Sequence, residues 1–296
     1  MESEGSSSSS VRSDGFSGPV LVTGAGGYLG GRVIGQLRAK GIESLGLARS
    51  GRSDVACDLL DAAGLRKVLD RTVPRVVVHC AAAVPRNAGG YDDAEAGADS
   101  VRMVRNLVDA GVANIVFASS MTVYRPGQPG PLLEDRADPQ SAYGRAKFEA
   151  EALLASATGC SAAVLRLPGL FGPPRRNGLV YALCEAIRKG RTPTLPAQPL
   201  MWSAMHVDDA ASTMVRAALR PPGPGFVTNV GYAGPLSVSL LVQRLREIAG
   251  AQIEYDVPHP SFEMDLGTLQ STLGLPQGDL GSRLSEMLEY AAVDVV

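Results

Sequence analysis

The sequence has no excess of positive charge and no long apolar segment. Its 28 Lys and Arg residues stand against 30 Asp and Glu residues, which leaves a net charge of -2. A protein that binds mainly nucleic acid would carry a positive field instead. The apolar runs all fall short of the ~18 residues that a membrane-spanning helix needs. We therefore expect neither a nucleic acid nor a membrane to be a partner of this protein.

Cysteine and histidine are also scarce. The four cysteines include no CxxC pair, and the three histidines lie far apart in the sequence. Because zinc sites and disulfide frameworks need closely spaced or paired residues, we predict no metal site and free thiols. The N-terminal segment lacks the apolar stretch of a secretory signal. Isolated thiols without such a signal are typical of the reducing cytoplasm, which is the predicted location.

Glycine, in contrast, is abundant, at 34 of 296 residues, where an average protein has roughly 7%. The glycines follow no triplet period, which excludes a collagen-like chain. Residues 1–17 form a distinct segment with a polyserine run at Ser6–Ser10. Such a segment buries too little apolar surface to offset the entropy lost on ordering, so we predict a disordered tail.

From residue 18 onward, short apolar runs alternate with segments of helical periodicity. Several runs are continuous, as expected for strands that are covered on both faces. This alternation predicts an α/β fold with a doubly wound, parallel sheet of the Rossmann type. The predicted strands are Pro19–Val22, Ser44–Ala48, Arg75–Cys80, Asn114–Ala118 and Ala162–Leu167. The predicted helices are Arg32–Lys40, Ala62–Leu69, Asp99–Ala110 and Ser141–Ala157.

The pattern becomes less regular beyond Gly172, where several prolines and the Pro221–Gly225 cluster divide the chain into short pieces. We interpret residues 18–167 as the Rossmann domain. Residues 168–296 are predicted to be a smaller, irregular region that mainly binds substrate and returns some segments to the Rossmann domain.

The first predicted strand leads into a glycine-rich turn with the spacing GxxGxxG, at Gly24, Gly27 and Gly30. Glycine allows a tight turn and lets the backbone approach a pyrophosphate closely. The helix that follows directs its N-terminal amides and the positive end of its dipole at that anion. A strand before the turn and a helix after it favour an NAD(P) site over an ordinary tight turn. We assign Tyr28 and Leu29 of this turn to the same site.

An arginine follows the second strand, where an acid would accept a hydrogen bond from a free ribose 2′-hydroxyl. Arg49 cannot accept that bond, but it can pair with a 2′-phosphate, and Arg52 could assist. This favours NADP, with NAD as the alternative; the competing interpretation of both arginines is solvated surface. Asp58, together with Leu59, is placed to meet the amino edge of the adenine.

Further motifs follow in a fixed order along the chain. They are Asp58-Leu59, the HxAA-like His79–Ala82, the SSxxVY segment in Ala118–Tyr124, the YxxxK segment Tyr143–Lys147, the RxxxxxGP turn Arg166–Pro173, the HVDD segment His206–Asp209, and Asp265 followed by Leu273-Gly274 and Pro276. With the glycine turn, this series resembles the extended short-chain dehydrogenase/reductases, the group that contains nucleotide-sugar epimerases and dehydratases. Each fragment is common by chance, but the ordered series covers most of the chain.

Tyr143 and Lys147 lie four residues apart in a predicted helix and so share one face. An ammonium group beside a phenol lowers its pKa, which brings proton exchange closer to neutral pH. The resemblance implies that Tyr143 exchanges the proton on the substrate oxygen and that Lys147 binds the nicotinamide ribose. It implies that Ser120 hydrogen-bonds the same oxygen, and that the cofactor is also lined by Ala81, Ala82, Ala83 and Pro168.

Two departures from the family pattern concern the substrate. Ser100 stands where the family often has an Asn, and Trp202 stands where nucleotide-sugar enzymes often carry an arginine that clamps a diphosphate. An aromatic ring cannot replace that bidentate ligand, although it could form a stacking wall or pack in the core. Either nearby arginines compensate or the substrate carries no diphosphate. The residues assigned to the substrate are Val84, Ser120, Met121, Thr122, Arg175, Arg176 and Trp202.

These features favour an NAD(P)-dependent oxidoreductase that acts on a secondary alcohol or ketone of a sugar-like or otherwise oxygenated molecule. The alternative is a nucleotide-sugar epimerase or dehydratase that keeps its cofactor bound. A further alternative is a non-redox binding or cyclising protein on the same fold. The expected partner is a small-molecule substrate, and the resemblance implies a homodimer formed through a bundle that includes the YxxxK helix.

Overall fold

The computed structural model describes residues 18–51, 53–83, 91–192, 203–251 and 261–293. The predicted tail at residues 1–17 lies outside the described residues, as do Arg52, Val84 and Trp202. The strands are β1 Val20–Thr23, β2 Ser44–Ala48, β3 Val55–Ala56, β4 Val76–His79, β5 Asn114–Ser120, β6 Ser161–Leu167, β7 Gly169–Phe171, β8 Ala204–His206 and β9 Phe226–Asn229. The helices are α1 Tyr28–Ala39, α2 Ala62–Thr72, α3 Ala94–Asp109, α4 Ala142–Ser156, α5 Leu179–Arg188, α6 Val207–Leu219, α7 Val238–Ala249, α8 Gly267–Thr272 and α9 Leu280–Ala292.

Within the described residues, seven parallel strands form one sheet in the order β3-β2-β1-β4-β5-β6-β9. The predicted α/β class and the Rossmann-type sheet are confirmed. The order in which strands are added to the sheet reverses at β1. Strands β2 and β3 lie on one side of β1, and the next strand, β4, lies on the other side. In such sheets ligands bind outside the carboxyl ends of the strands at this reversal.

Helices cover both faces of the sheet, which explains the continuous apolar runs. In β1, Val20 and Val22 point to a cluster that includes α1 and α6 residues. Leu21 between them points to the opposite cluster, which includes residues of α2, α3 and α4. The strand period of two therefore buries neighbouring residues in separate layers.

The C-terminal region is more regular than the prolines predict. Three helices of 10 to 13 residues, α5, α7 and α9, share a hydrophobic cluster of their own. The expectation of short irregular pieces was wrong, because the prolines fall between these helices and leave their apolar faces intact.

Two elements from this region join the main sheet. Strand β9 pairs with β6 at its edge, and α6 packs beside α1 on one face. The sequence pattern did not predict β9, which has only four residues and depends on its long-range pairing with β6. The strand places Asn229 next to Arg166, at the carboxyl end of β6.

Candidate active site

The glycine turn is built so that two backbone segments lie in contact. Gly24 has φ of 68°, and a Cβ there would lie 2.8 Å from the backbone nitrogen of Ala81. A Cβ on Gly30 would collide with the carbonyl oxygen of Gly24. Only glycine fits at these two points, so the turn stays open toward the carboxyl ends of β1 and β4.

A cavity of about 330 Å³ lies beside this turn. Eight residues that were assigned to the cofactor from the sequence line it: Gly24, Gly27, Arg49, Asp58, Leu59, Ala81, Ala82 and Ala83. The cavity and the glycine cradle fit the adenosine and pyrophosphate portions of a dinucleotide. Sequence reasoning missed several other lining residues: Gly26, Leu47, Ala48, Ser50, Cys57, Leu60, Asp99 and Met103.

The arginine predicted to read the ribose is exposed at the rim of this cavity. Within the described residues, Arg49 makes no hydrogen bond or ion pair, so its guanidinium group is free for an anion. The nearby Asp54 carboxylate is already engaged, because it accepts from the backbone nitrogen of Gly46 at 2.6 Å and pairs with Arg38. Both contacts use Oδ2 of Asp54 and tie this carboxylate to α1 and β2.

The predicted adenine contact is held in place by its own turn. Asp58 Oδ1 accepts a hydrogen bond from the Leu60 backbone nitrogen at 3.0 Å, and the Asp58 carbonyl oxygen accepts from the Asp61 nitrogen. This Asx turn keeps the carboxylate at the cavity wall, where its second oxygen is available as an acceptor.

A second group of side chains lies at the carboxyl end of β5. Ser120 is the last residue of that strand, and its Oγ accepts from the Thr122 backbone nitrogen at 3.2 Å. The Thr122 hydroxyl lies 3.0 Å from the same Oγ. A 3-10 turn at Met121–Val123 produces this arrangement.

Helix α4 approaches this turn at its N-terminus. Ser141 caps the helix by accepting from the Gly144 nitrogen at 3.0 Å. A Cβ on Gly144 would collide with the carbonyl oxygen of Thr122, so glycine is required for this close approach. The contact places Tyr143, the preceding residue, beside the Ser120 turn. Its ring lies edge-on to that of Tyr91, with centroids 5.7 Å apart.

Lys147 is buried one helical turn beyond Tyr143. Its Nζ donates to the Ala118 carbonyl oxygen at 2.7 Å and lies 5.7 Å from the centre of the Tyr143 ring. Burial lowers the pKa of Lys147 to about 8. The ammonium group is thus poorly solvated and is anchored to β5, two residues before Ser120.

The predicted pKa shift of Tyr143 was wrong in direction. Burial raises the pKa of the phenol above its ordinary value, and the neighbouring Tyr91 raises it further. The Lys147 ammonium is engaged by Ala118, and it does not offset the loss of solvation in the free protein. Spacing along a helix shows which groups are neighbours, but it does not show how strongly each is buried.

His79 links the two groups of side chains. Its Nδ1 forms a hydrogen bond of 2.8 Å with the Thr23 hydroxyl at the end of β1, and its ring stacks on Phe117 of β5. Complete burial, with a smaller contribution from the Lys147 charge, lowers the pKa of His79 to about 3. The ring is therefore neutral and holds β1, β4 and β5 together at their carboxyl ends.

A buried ion pair supports the next turn of α4. Glu151 lies one turn beyond Lys147, and both of its oxygens accept from Arg166 of β6, the shortest contact being 2.6 Å. Glu151 also accepts from the Ser119 hydroxyl, and Arg166 donates to the Tyr124 hydroxyl at 2.9 Å. The network fixes α4 against β5 and β6.

Each of the two predicted substrate arginines contacts a tyrosine ring. The Arg175 guanidinium lies 5.4 Å from the centre of the Tyr28 ring, and Arg176 lies 4.3 Å from that of Tyr290. Met121 is buried in a hydrophobic cluster with Tyr124 and its neighbours. The sequence pattern did not predict these contacts, and the assignment of the three residues to the substrate stays a prediction.

The remaining predicted cofactor residues lie beyond the adenosine cavity. The Tyr28 hydroxyl donates to the Gly172 carbonyl oxygen at 2.6 Å, and this joins the first turn of α1 to the chain after β7. Leu29 packs against the core beneath α1, and Pro168 is buried at the end of β6. Ser100, in the position where the family often has an Asn, accepts from the Ala83 nitrogen at 3.1 Å and so supports the cavity wall.

The described residues contain no helix long and apolar enough to cross a membrane. They contain no cluster of three or more His, Cys, Asp or Glu residues that could hold a metal ion. The four thiols are free.

The parallel sheet and its glycine turn are typical of nucleotide-binding α/β proteins, and residues 20–231 match the NAD dependent epimerase/dehydratase family. The chain belongs to that family and is an NAD(P)-dependent enzyme, so the predicted resemblance is confirmed.

Three relatives illustrate the similarity. The chain is 30% identical over 273 residues to UDP-glucose 4-epimerase of Azospirillum brasilense, and the aligned region covers 79% of this chain and 78% of that protein. It is 31% identical over 268 residues to dTDP-6-deoxy-L-talose 4-dehydrogenase (NAD(P)(+)) of Kitasatospora kifunensis, covering 81% and 82%. The structure of MoeE5 in complex with UDP-glucose and NAD superposes with a TM-score of 0.76 at 26% identity and covers 92% and 98% of the two chains.

Proposed function

We propose that the protein is an NADP(H)-dependent oxidoreductase that interconverts a secondary alcohol and a ketone on a sugar-like or otherwise oxygenated small molecule. The observation that carries this proposal is the grouping of Tyr143 and Lys147 of α4 with Ser120 at the carboxyl end of β5. The cofactor cavity opens at the carboxyl ends of other strands of the same sheet. When bound, the nicotinamide cofactor donates or accepts the hydride.

The protein's own residues handle the proton. Ser120 and Tyr143 hydrogen-bond the substrate oxygen, and Tyr143 gives its phenolic proton to that oxygen in the reducing direction. The raised pKa of Tyr143 means that the phenol carries its proton in the free protein. Lys147 holds the ribose of the cofactor, and its positive charge stabilises the phenolate left after transfer.

The preference for NADP over NAD is supported by the exposed Arg49 at the rim of the cavity. Its guanidinium group is free within the described residues, whereas Asp54, the acid of the same loop, is bonded to Arg38 and Gly46. A bidentate pair between a guanidinium group and a phosphate is stronger than a neutral hydrogen bond.

The second candidate function is epimerisation of a nucleotide sugar, which the named activity of the Azospirillum relative favours. An epimerase needs the same proton and hydride transfers but returns the cofactor to its starting state. Against this candidate, Trp202 stands in the sequence where nucleotide-sugar enzymes often carry a diphosphate-clamping arginine, and the guanidinium groups of Arg175 and Arg176 lie over the rings of Tyr28 and Tyr290.

The two candidates differ in what the purified protein carries and consumes. The full chain should be purified without added cofactor, denatured, and its released nucleotide identified by mass spectrometry. We expect little retained cofactor and net oxidation of NADPH on addition of 4-keto sugar nucleotides or simpler hydroxyketones. Tightly retained NAD, with interconversion of UDP-glucose and UDP-galactose and no net NADPH oxidation, would favour the epimerase.

Two further features belong to this proposal. Residues 168–296 mainly form the substrate side, with α6 and β9 contributing to the Rossmann domain.

The protein acts as a homodimer through the paired helices α3 and α4, where Phe148 is exposed on α4. Light scattering of the wild-type chain and of Phe148→Glu tests the dimer.

A further inference from the structure

The hydroxyl of Thr122 has one described partner, and that partner is Ser120. The distance between their oxygens is 3.0 Å, and within the described residues no other group hydrogen-bonds the Thr122 hydroxyl. The backbone nitrogen of Thr122 also donates to Ser120 Oγ, at 3.2 Å. Thr122 thus approaches the Ser120 oxygen through both its main chain and its side chain.

The bonds around Ser120 restrict where its own proton can point. A hydroxyl group offers one donor and two acceptor positions. The Thr122 N–H can only donate, so it occupies one acceptor position of Ser120 Oγ. The contact between the two hydroxyls then has two arrangements: Thr122 donates to Ser120, or Ser120 donates to Thr122.

Only the first arrangement leaves Ser120 as a donor toward the substrate. If Ser120 donated to Thr122, it would present a lone pair to the substrate oxygen, and a ketone oxygen that gains negative charge would be repelled. We propose that Thr122 is a positioning residue whose hydroxyl donates to Ser120 Oγ, so that the Ser120 proton is directed at the substrate oxygen. This inference rests on the proposed function, which supplies the ketone.

The surrounding backbone holds this arrangement firmly. The carbonyl oxygen of Thr122 lies against Gly144 of α4, where a Cβ would collide with it. Gly144 is in turn fixed by the Ser141 cap. The turn that orients Ser120 is therefore packed directly on the helix that carries Tyr143. The contact between Thr122 and Gly144 fixes the positions of both proposed donors, Ser120 and Tyr143, relative to each other.

Neutron diffraction from deuterium-exchanged crystals of the full chain locates these protons without any need for activity. We expect the Thr122 deuterium between the two oxygens and the Ser120 deuterium directed away from Thr122. A Ser120 deuterium that points to Thr122 Oγ1 would overturn the inference. Because this result does not depend on turnover, it is separable from a failure of the proposed function.

Kinetics provide the second test, with one shape-matched variant and one conservative control. Thr122→Val keeps the branched shape and replaces the hydroxyl with a methyl group, and it should lower kcat about tenfold with KM and the NADPH Kd unchanged. Thr122→Ser restores the donor and should stay within about twofold of wild type. An unchanged kcat in Thr122→Val, or an equal loss in Thr122→Ser, would contradict a positioning role. Absence of ketone reduction by the wild-type chain would count against the proposed function, and the neutron result would still decide the orientation.

Discussion

The cavity beside the glycine turn, called here the adenosine end, differs in composition from the group of side chains around Ser120, called here the Ser120 end. The adenosine end is formed by glycine backbone, by the exposed Arg49 and by the half-buried Asp58 around an open cavity. The end at Ser120 is formed by buried titratable groups, among them Lys147 and the Glu151–Arg166 pair. In the proposed function, the first end recognises the cofactor by shape and surface charge, and the second controls protons by restricting solvation.

This difference determines how each end responds to substitution. At the adenosine end, an added methyl group alters the backbone path, while loss of an exposed charge changes only selectivity. At the Ser120 end, loss of one polar atom leaves its partner buried and unpaired, which is costly in a poorly solvated site. Substitutions ranked by expected effect should therefore separate the two ends.

The largest effect is expected at Tyr143. Tyr143→Phe removes the only phenolic proton assigned to the substrate oxygen, so turnover should fall roughly 10²- to 10⁴-fold. The Kd for NADPH should stay within about twofold, because the adenosine end is untouched. Steady-state kinetics and fluorescence titration provide the two measurements, and full turnover by the variant would exclude Tyr143 as the proton donor.

The next effect is on stability. Glu151→Ala leaves Arg166 charged and buried, and breaking such a pair costs about 3–5 kcal/mol in the free energy of unfolding. Urea denaturation measures this loss. Glu185→Ala is the matched control, since Glu185 forms an exposed ion pair with Lys189 on α5, and its removal should leave stability unchanged. An equal loss in the free energy of unfolding for the two variants would show that burial of the Glu151–Arg166 pair adds nothing to its effect on stability.

Two glycines of α1 test the shape of the adenosine end. Gly30→Ala forces a methyl group onto the Gly24 carbonyl oxygen, which should cost about 1–3 kcal/mol of stability and weaken NADPH binding. Gly35→Ala meets nothing within 4 Å on the same helix and should add about 0.5–1 kcal/mol. Urea denaturation and NADPH titration measure both variants. An equal free energy of unfolding and an equal NADPH Kd for the two variants would mean that the close approach of Gly30 to Gly24 has no role.

His79 connects the two ends and gives a pH-dependent effect. Its pKa is about 3 when folded and about 6.5 when unfolded, so between these values the unfolded chain binds the extra proton. The free energy of unfolding should therefore fall as the pH falls below about 6.5, by up to ~1.4 kcal/mol per unit. His79→Asn should flatten that slope in denaturation curves between pH 6.5 and 5. An unchanged slope would mean that His79 is not buried neutral.

The sequence was sufficient for the parts that depend on local pattern. The glycine turn, the alternation of strands and helices and the fold class follow from residue type and spacing. Strand β9 and the regular helices of the C-terminal region depend on partners distant in sequence, and proline content obscured them. The raised pKa of Tyr143 depends on burial, which the i,i+4 spacing from Lys147 does not reveal. The engagement of Arg175 by Tyr28 likewise requires the folded chain.

The most direct test of the account is the relative affinity for the two cofactors. NADPH and NADH should be titrated into the wild-type chain, into Arg49→Ala and into the exposed control Arg188→Ala. We expect NADPH to bind the wild type and the control at least about tenfold more tightly than NADH, as one charged hydrogen-bonded pair provides, and Arg49→Ala to lose most of that preference. Equal affinities in the wild-type chain would contradict an NADP(H)-dependent oxidoreductase.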